Sequence, residues 1–308
     1  MRKIFIGLVS LAILAAACAK SSVPVGSASA PTTTAASVDP TACAQGATLH
    51  NPGTLTIGTD NPAYPPYFVG NAPKGSVWKL GDPTNGKGFE SAVAYAVAAK
   101  MGFATPAVAW IALPYTESYA PGQKKFDMYL AQVSYKAARA RSADFSSSYY
   151  DVNQALVAVK GTPITSVTTI SGLKDYVLAA PLGSTSADYI TNVIRPTKQP
   201  GVYKTLSDAV AALNAYQVDG IVVDLPTSLF IADPYIQEVK HSTVVGQFPN
   251  PAGTTPEHFG IVLPLHSSLT PCVDAALTAM RDDGSLQSIT TTWLSQKTNV
   301  GNVPVFAP

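Results

Sequence analysis

The segment 132–139 holds the residues of this sequence that are best suited to bind a small charged ligand. It follows a predicted strand and offers an amide at Gln132, a hydroxyl at Ser134 and a guanidinium at Arg139. A planar guanidinium binds both oxygens of a carboxylate, and the hydroxyl and amide supply further hydrogen bonds. The segment therefore predicts a carboxylate site. Together with Asp224 far downstream, it predicts a clamp for an amino acid.

Apolar runs and helical patterns alternate after residue 53, and these elements must position the charged groups. Strands are predicted at 54–59, 108–110, 126–133, 155–159, 176–180, 220–223 and 259–263. Helices are predicted at 89–101, 185–194, 206–216, 270–281 and 285–296. Thr205 followed by Asp208 is typical of a capping box at the start of the third helix. The alternation predicts an α/β fold with two mostly parallel sheets.

The beginning of the chain predicts export. Residues 1–17 combine a basic start with an apolar stretch too short to span a bilayer, which is typical of a signal peptide. The small residues before Cys18 resemble the lipobox of bacterial lipoproteins, so Cys18 is predicted to be lipidated. The alternative is plain secretion, with Cys18 removed together with the signal. Residues 18–45 complete a lipidated N-terminus and a flexible linker rich in Ala, Ser, Thr and Pro.

The sequence has three cysteines, and the predicted export indicates a role for each of them. If Cys18 is lipidated, Cys43 and Cys272 remain in an oxidising compartment, where we expect them to form one disulfide. Two free thiols are the alternative.

Composition and motifs exclude several functions. Charged residues are 13% of the chain and the net charge is +1, so there is no basic surface for nucleic acid. The four histidines show no metal-ligand spacing, so no metal site is predicted. The stretch 81–87 is close to a phosphate-binding loop, but Gly88 stands where Ser or Thr is needed. No cofactor is predicted.

Several motifs follow one another in a set order between residues 53 and 296. They are GTD at 58–60, YPPYF at 64–68, GFE at 88–90, FD at 126–127, DFS at 144–146, YY at 149–150, GST at 183–185, DG at 219–220, FGI at 259–261, DGSL at 283–286 and WL at 293–294. With the segment 132–139 and Asp224, they resemble the extracellular solute-binding proteins of family 3. Members of that family are the receptors of polar amino-acid ABC importers.

The resemblance implies a two-lobe, periplasmic-binding-protein-like α/β fold of type II, with the ligand in the cleft between the lobes. Lobe 1 would comprise 46–153 and 246–308, and lobe 2 would comprise 154–245. Two crossing strands near 151–153 and 245–247 would form the hinge, about which the lobes close on the ligand.

The resemblance also assigns the two ends of the ligand. Arg139 would bind the α-carboxylate, and Ser134, Gln132 and the backbone N–H of Thr185 would add hydrogen bonds. Asp224 would bind the α-ammonium through a charge-assisted contact. Because Asp224 directly follows a predicted strand and precedes Leu-Pro, a helix cap is the alternative role for its side chain.

The remaining assignments concern the pocket for the ligand side chain. Tyr64 would stack on the ligand, Tyr115 would add a second aromatic wall, and Ala131 would lie beside them. Asp60 would line the pocket and favour amide, hydroxyl or cationic groups. Glu90 would be a pocket acid or a structural partner.

These expectations combine into a lipid-anchored, extracytoplasmic and monomeric receptor without catalysis, which delivers a polar or cationic amino acid to an ABC permease. A sensor or signalling adaptor that binds amino acids is one alternative. A cyclohexadienyl dehydratase, acting on arogenate or prephenate, is a second alternative on the same fold. Its general acid would be Glu90 or Asp60.

Overall fold

Two five-stranded sheets form the framework, and the apolar runs of the sequence supply their central strands. The computed structural model describes residues 38–234, 236, 238–295 and 303–308. The strands are β1 Leu55–Thr59, β2 Val108–Ala112, β3 Met128–Tyr129, β4 Ala143–Phe145, β5 Tyr150–Asp151, β6 Gln154–Val159, β7 Leu178–Pro181, β8 Gly201–Tyr203, β9 Gly220–Asp224, β10 Ser242–Gln247, β11 His258–Phe259 and β12 Val262–Pro264.

Seven α-helices are present in the described part of the chain. They are α1 Pro40–Gln45, α2 Phe89–Lys100, α3 Thr185–Tyr189, α4 Leu206–Asn214, α5 Leu225–Ile231, α6 Thr270–Asp282 and α7 Ser285–Thr290. π-helical turns follow α3 and α7, at Ile190–Ile194 and Thr291–Ser295. The predicted capping box at α4 is confirmed, because the Thr205 and Asp208 side chains each accept from the other residue's backbone N–H.

The first sheet has the strand order β2-β1-β3-β12-β4. β1 runs parallel to β2 and β3, whereas β12 runs antiparallel to β3 and β4. The apolar stripe of α2, formed by Phe89, Val93 and Val97, is fully buried. It belongs to a core shared with Leu55 and Ile57 of β1.

The second sheet has the order β10-β6-β9-β7-β8. β6 is antiparallel to both β10 and β9, whereas β7 is parallel to β9 and β8. Both sheets are therefore mixed, and the expectation of mostly parallel sheets is wrong. Two of the four strand pairings in each sheet are antiparallel.

Two predicted strands are shorter in the structure. The segment 126–133 contributes only Met128–Tyr129, because Gln132 has a φ of 54°, which ends an extended conformation. The segment 259–263 is split between β11 and β12. Helix α5 is not among the predicted helices, although a helix cap at Asp224 was the alternative role given above, and Pro226 fits the first turn of this helix.

The disulfide between Cys43 and Cys272 is confirmed and joins α1 to α6, with a Cα–Cα distance of 5.4 Å. Cys18 and the predicted signal peptide lie outside the described residues. None of the helices that the structure describes is long and apolar enough to cross a membrane.

The end of the chain, 303–308, lies beside β10 and the second sheet. Phe306 is buried and stacks on Phe248, with 4.8 Å between the ring centroids. Its backbone N–H donates to Gln247, and the Ala307 N–H donates to Thr168. The lobe boundaries given above stay a prediction.

Candidate ligand-binding site

A cavity of about 470 Å³ opens where strands of both sheets end and helices begin, which is where α/β folds commonly bind small ligands. Its wall includes seven of the predicted ligand-binding residues: Asp60, Tyr64, Tyr115, Ala131, Gln132, Thr185 and Asp224. The other three predicted residues, Glu90, Ser134 and Arg139, do not line this cavity. The ligand-binding role of all ten stays a prediction.

Asp224 presents a carboxylate to the cavity from the end of β9. It precedes the first residue of α5, but its side chain makes no capping hydrogen bond. Instead, Gln154 Nε2 donates to Asp224 Oδ1 at 2.7 Å. Burial and the nearby carboxylate of Glu257 hold the pKa of Asp224 well above its usual range. The side chain therefore faces the ligand cavity and not the helix backbone.

Gln154 connects a cluster of polar groups behind Asp224. It opens β6 opposite Asp224 in the sheet, and its Oε1 accepts from the Ser186 hydroxyl at 2.5 Å. Its Nε2 also donates to both oxygens of Glu257, at 3.2 and 3.1 Å. Glu257 accepts in turn from Ser134 Oγ at 2.6 Å. Two carboxylates thus share the amide group of one glutamine.

Neither Gln154 nor Glu257 was among the residues predicted from the sequence. Gln154 carried a usable signal, because it is the polar first residue of a strand whose other members are all apolar and buried. Glu257 lies outside the strands and helices, and its sequence neighbours give no hint of its partners. Its position beside Ser134 depends on a contact between residues 123 positions apart.

Arg139 is buried, with 5% of its surface exposed, and it connects two segments of the site. Its guanidinium donates to the backbone carbonyl of Ser134 and, at 2.7 Å, to that of Gly183. It lies over the rings of Tyr119 and Tyr115, at 4.6 and 5.6 Å from their centroids. The ion pairs among the described residues join lysines to aspartates and do not include Arg139. A carboxylate counterion for Arg139 is therefore absent from the described part of the chain.

Glu90 lies under the cavity wall. It is fully buried in the first turn of α2 and accepts from the Gln132 N–H at 2.7 Å, from the Gln132 side-chain amide and from the Tyr149 hydroxyl. Burial raises the pKa of Glu90 to about 7, although these three donors oppose the shift. Glu90 thereby holds Gln132 in its left-handed conformation.

Asp60 and Tyr64 form the opposite side of the cavity, after β1. Asp60 accepts from the Asn61 N–H at 2.8 Å, and burial raises its pKa. The Tyr64 hydroxyl hydrogen-bonds Ser207 in the first turn of α4. Burial raises the pKa of Tyr64 to about 12, so this phenol is neutral. The contact connects the loop after β1 to a helix that packs on the second sheet.

The wall of the cavity offers two acids, Asp60 and Asp224, and a single cationic side chain, the exposed Lys204. Among the described residues, no group of three or more His, Cys, Asp or Glu side chains is placed to hold a metal ion. The arrangement is suited to bind an organic cation that also carries hydrogen-bonding groups.

Comparison with known proteins gives a consistent result. The sequence is 28% identical over 171 residues to the ABC transporter glutamine-binding protein GlnH of Bacillus subtilis (strain 168). The match covers 55% of this chain and 58% of GlnH, so it spans a little over half the length of that relative.

Solved structures confirm the predicted type II fold. An ancestral arginine-binding protein bound to glutamine superposes with a TM-score of 0.63 at 25% identity, over 79% of this chain and 99% of that protein. The arginine-, lysine-, histidine-binding protein ArtJ from Geobacillus stearothermophilus shares the fold, with a TM-score of 0.63 at 20% identity over 82% of this chain and 96% of ArtJ. Residues 55–296 match the sequence pattern of one family. This chain belongs to the bacterial extracellular solute-binding proteins, family 3.

Proposed function

We propose that this protein is a receptor that binds a polar or cationic amino acid and delivers it to an ABC importer, without catalysing a reaction. The observation that carries the proposal is the carboxylate of Asp224 on the cavity wall. It has one side-chain donor, Gln154, which it shares with a second acid, Glu257. A partly desolvated carboxylate of this kind is stabilised by a ligand cation.

The α-carboxylate of the amino acid would meet hydrogen-bond donors. Thr185 lines the cavity, and its hydroxyl lies 3.5 Å from Ser134 Oγ. Arg139, which lacks a carboxylate partner within the described chain, lies behind these groups. A ligand α-carboxylate would supply the charge that balances this buried guanidinium.

The side chain of the ligand would extend toward Asp60 and Tyr64. An acid in this position favours an amide or a cation over a second carboxylate. The relatives whose names mention glutamine and arginine agree with this preference. We therefore expect glutamine, arginine or a ligand with similar groups to bind better than glutamate or aspartate.

The proposal includes the location of the receptor. A lipid on Cys18 and the predicted linker would keep a monomeric, extracytoplasmic body beside its permease; the linker would stop before α1, because Pro40–Gln45 is helical and Cys43 is bonded to Cys272. Incorporation of radiolabelled palmitate should be seen in cells that express the protein and should be lost in Cys18→Ser. Labelling that persists in Cys18→Ser would contradict the anchor.

The decisive experiment is calorimetric titration of the purified, unfolded-and-refolded full chain, which is free of carried-over ligand, with all common L-amino acids. Asp224→Ala and Arg139→Ala should lose binding of whichever amino acid binds the wild type. Asp282→Ala, which removes an exposed acid at the end of α6, is the matched control and should bind normally.

Two outcomes would overturn the proposal. The first is a folded wild-type protein that binds no amino acid. The second is turnover of arogenate or prephenate, which would establish the dehydratase in place of the receptor. Uptake of the bound amino acid by cells with and without the gene then separates transport from sensing.

A further inference from the structure

The carboxylate of Glu257 contacts a group that the proposed function reserves for the ligand. Its Oε1 accepts from Ser134 Oγ at 2.6 Å, and Ser134 is predicted to bind the α-carboxylate of the amino acid. Ser134 is buried, with 1% of its surface exposed, so water does not compete for its hydroxyl. A hydroxyl has one proton to donate, and Glu257 uses it.

The backbone of Glu257 is held in place, whereas its side chain has a route to leave. The Val152 N–H donates to the Glu257 carbonyl at 2.9 Å, and the Glu257 N–H donates to Asn250 Oδ1 at 3.1 Å. Asn250 also donates to Asn153 at 3.2 Å. Glu257 is only partly buried, so rotation of its side chain can bring the carboxylate into water.

The charges around Glu257 also disfavour a second carboxylate there. Glu257 shares the Gln154 amide with Asp224, and no lysine or arginine of the described chain forms an ion pair with it. An incoming carboxylate at Ser134 would be attracted by Arg139, which donates to the Ser134 carbonyl, but it would lie beside Glu257, whose Oε1 is 2.6 Å from Ser134 Oγ. A cluster of acids relaxes when one of them moves away or is neutralised.

We propose that Glu257 is a tethered carboxylate that competes with the α-carboxylate of the ligand for Ser134, and thereby sets the affinity of the receptor. This inference rests on the proposed function. In the free protein the Glu257 carboxylate occupies the hydroxyl of Ser134. The carboxylate of a ligand must displace Glu257 before it can bind there. The apparent affinity equals the intrinsic affinity multiplied by the fraction of molecules in which Ser134 is free.

The competition concerns only ligands that bring a carboxylate. Agmatine is arginine without its carboxylate, and 4-aminobutanamide is glutamine without its carboxylate. Removal of the Glu257 charge should therefore strengthen the binding of each amino acid and leave its decarboxylated counterpart almost unchanged. General loss of negative charge, by contrast, would weaken both cationic amines.

The test is calorimetric titration of the full chain with L-arginine, agmatine, L-glutamine and 4-aminobutanamide. Glu257→Gln keeps the shape of the side chain, and Glu257→Ala removes the competitor altogether. Glu117→Gln is the matched control, because Glu117 is exposed and next to the wall residue Thr116 but does not line the cavity. Thermal unfolding shows that each variant is folded.

We expect about tenfold tighter binding of the amino acids in Glu257→Ala, a smaller gain in Glu257→Gln, whose amide oxygen can still accept from Ser134, and a change of less than about twofold for the amines. Binding of an amino acid by a variant when the wild type binds none supports the same conclusion. Equal or weaker binding of the amino acids in folded variants overturns the inference alone, as does a parallel change in both members of a pair. If neither the wild type nor the variants bind any of them, the proposed function fails as well.

Discussion

Two carboxylate clusters in this protein, one buried and one partly buried, differ in how well their charges are satisfied. Glu90, under the first sheet, accepts three hydrogen bonds from Gln132 and Tyr149 and has no second acid among its hydrogen-bond partners. Asp224, at the second sheet, shares a single amide donor with Glu257. Both acids have raised pKa values, so the direction of the shift does not distinguish them.

The number of donors does distinguish them. An acid whose acceptors are saturated by its own protein has little to gain from a ligand, and its role is to fix the local backbone. An acid that competes with another for one donor gains strongly when a cation arrives. Both acids were predicted as ligand-binding residues, with a structural role as the alternative for Glu90, and on this basis we expect Glu90 to act in structure and Asp224 in binding.

The largest expected effect is the loss of binding in Asp224→Ala. Removal of one partner of a buried charge pair weakens affinity by about 1,000-fold, because the ligand ammonium loses its counterion. Titration calorimetry with the amino acid that binds the wild type measures the change. The unfolding free energy from urea titration should change by less than about 1 kcal/mol, because Gln154 keeps Glu257 as an acceptor.

Glu90→Ala should lower the unfolding free energy more than it lowers the affinity for the ligand. It leaves the Gln132 backbone N–H, the Gln132 amide and the Tyr149 hydroxyl without their acceptor, so the unfolding free energy should fall by about 3 kcal/mol. Urea titration followed by circular dichroism measures the loss. If Glu90→Ala retains wild-type stability but loses the ligand, Glu90 belongs to the binding site and the contrast with Asp224 is wrong.

The contrast also explains which parts of the site could be predicted from the sequence. Asp224 was predicted because it follows an apolar strand and fits a family motif, and the structure places it on the cavity wall. The disulfide followed from the cysteine count and the export signal. Local pattern and family order were sufficient for these features.

Glu257, Gln154 and the short β3 could not be predicted in the same way. The donors around a carboxylate come from segments far apart in the chain, and their number is fixed only when the sheets form. The conformation of Gln132 was likewise beyond prediction from the local sequence. Its left-handed backbone ends the predicted strand, and the Glu90 carboxylate that holds it comes from a helix 42 residues earlier.

Arg139→Lys should have smaller effects on ligand affinity and on unfolding free energy. A lysine keeps the charge but cannot reproduce the two donated bonds to Ser134 and Gly183 or the planar contact with Tyr119. We expect about tenfold weaker binding and a loss of about 1 kcal/mol in unfolding free energy. A loss of stability with unchanged affinity would make Arg139 a structural residue.

The smallest expected effect is the release of part of a proton on binding, and it tests the two acids directly. In the free protein the pKa of Asp224 is raised, whereas a bound ammonium stabilises its carboxylate and lowers that pKa. Between these two pKa values, binding expels a proton, and affinity rises with pH. Above the pKa of the free protein, Asp224 is already ionised and this dependence ends.

Glu90 should not contribute to this release, because its three donors are unchanged by the ligand. Titrations at pH 6 in two buffers with different ionisation enthalpies give the number of protons released. Glu90→Gln should release the same fraction of a proton as the wild type. A binding enthalpy that is independent of the buffer in the wild type would show that the ligand cation does not meet Asp224. A release that disappears in Glu90→Gln would show that the two clusters are coupled, and that donor number alone does not separate structural acids from binding acids in this fold.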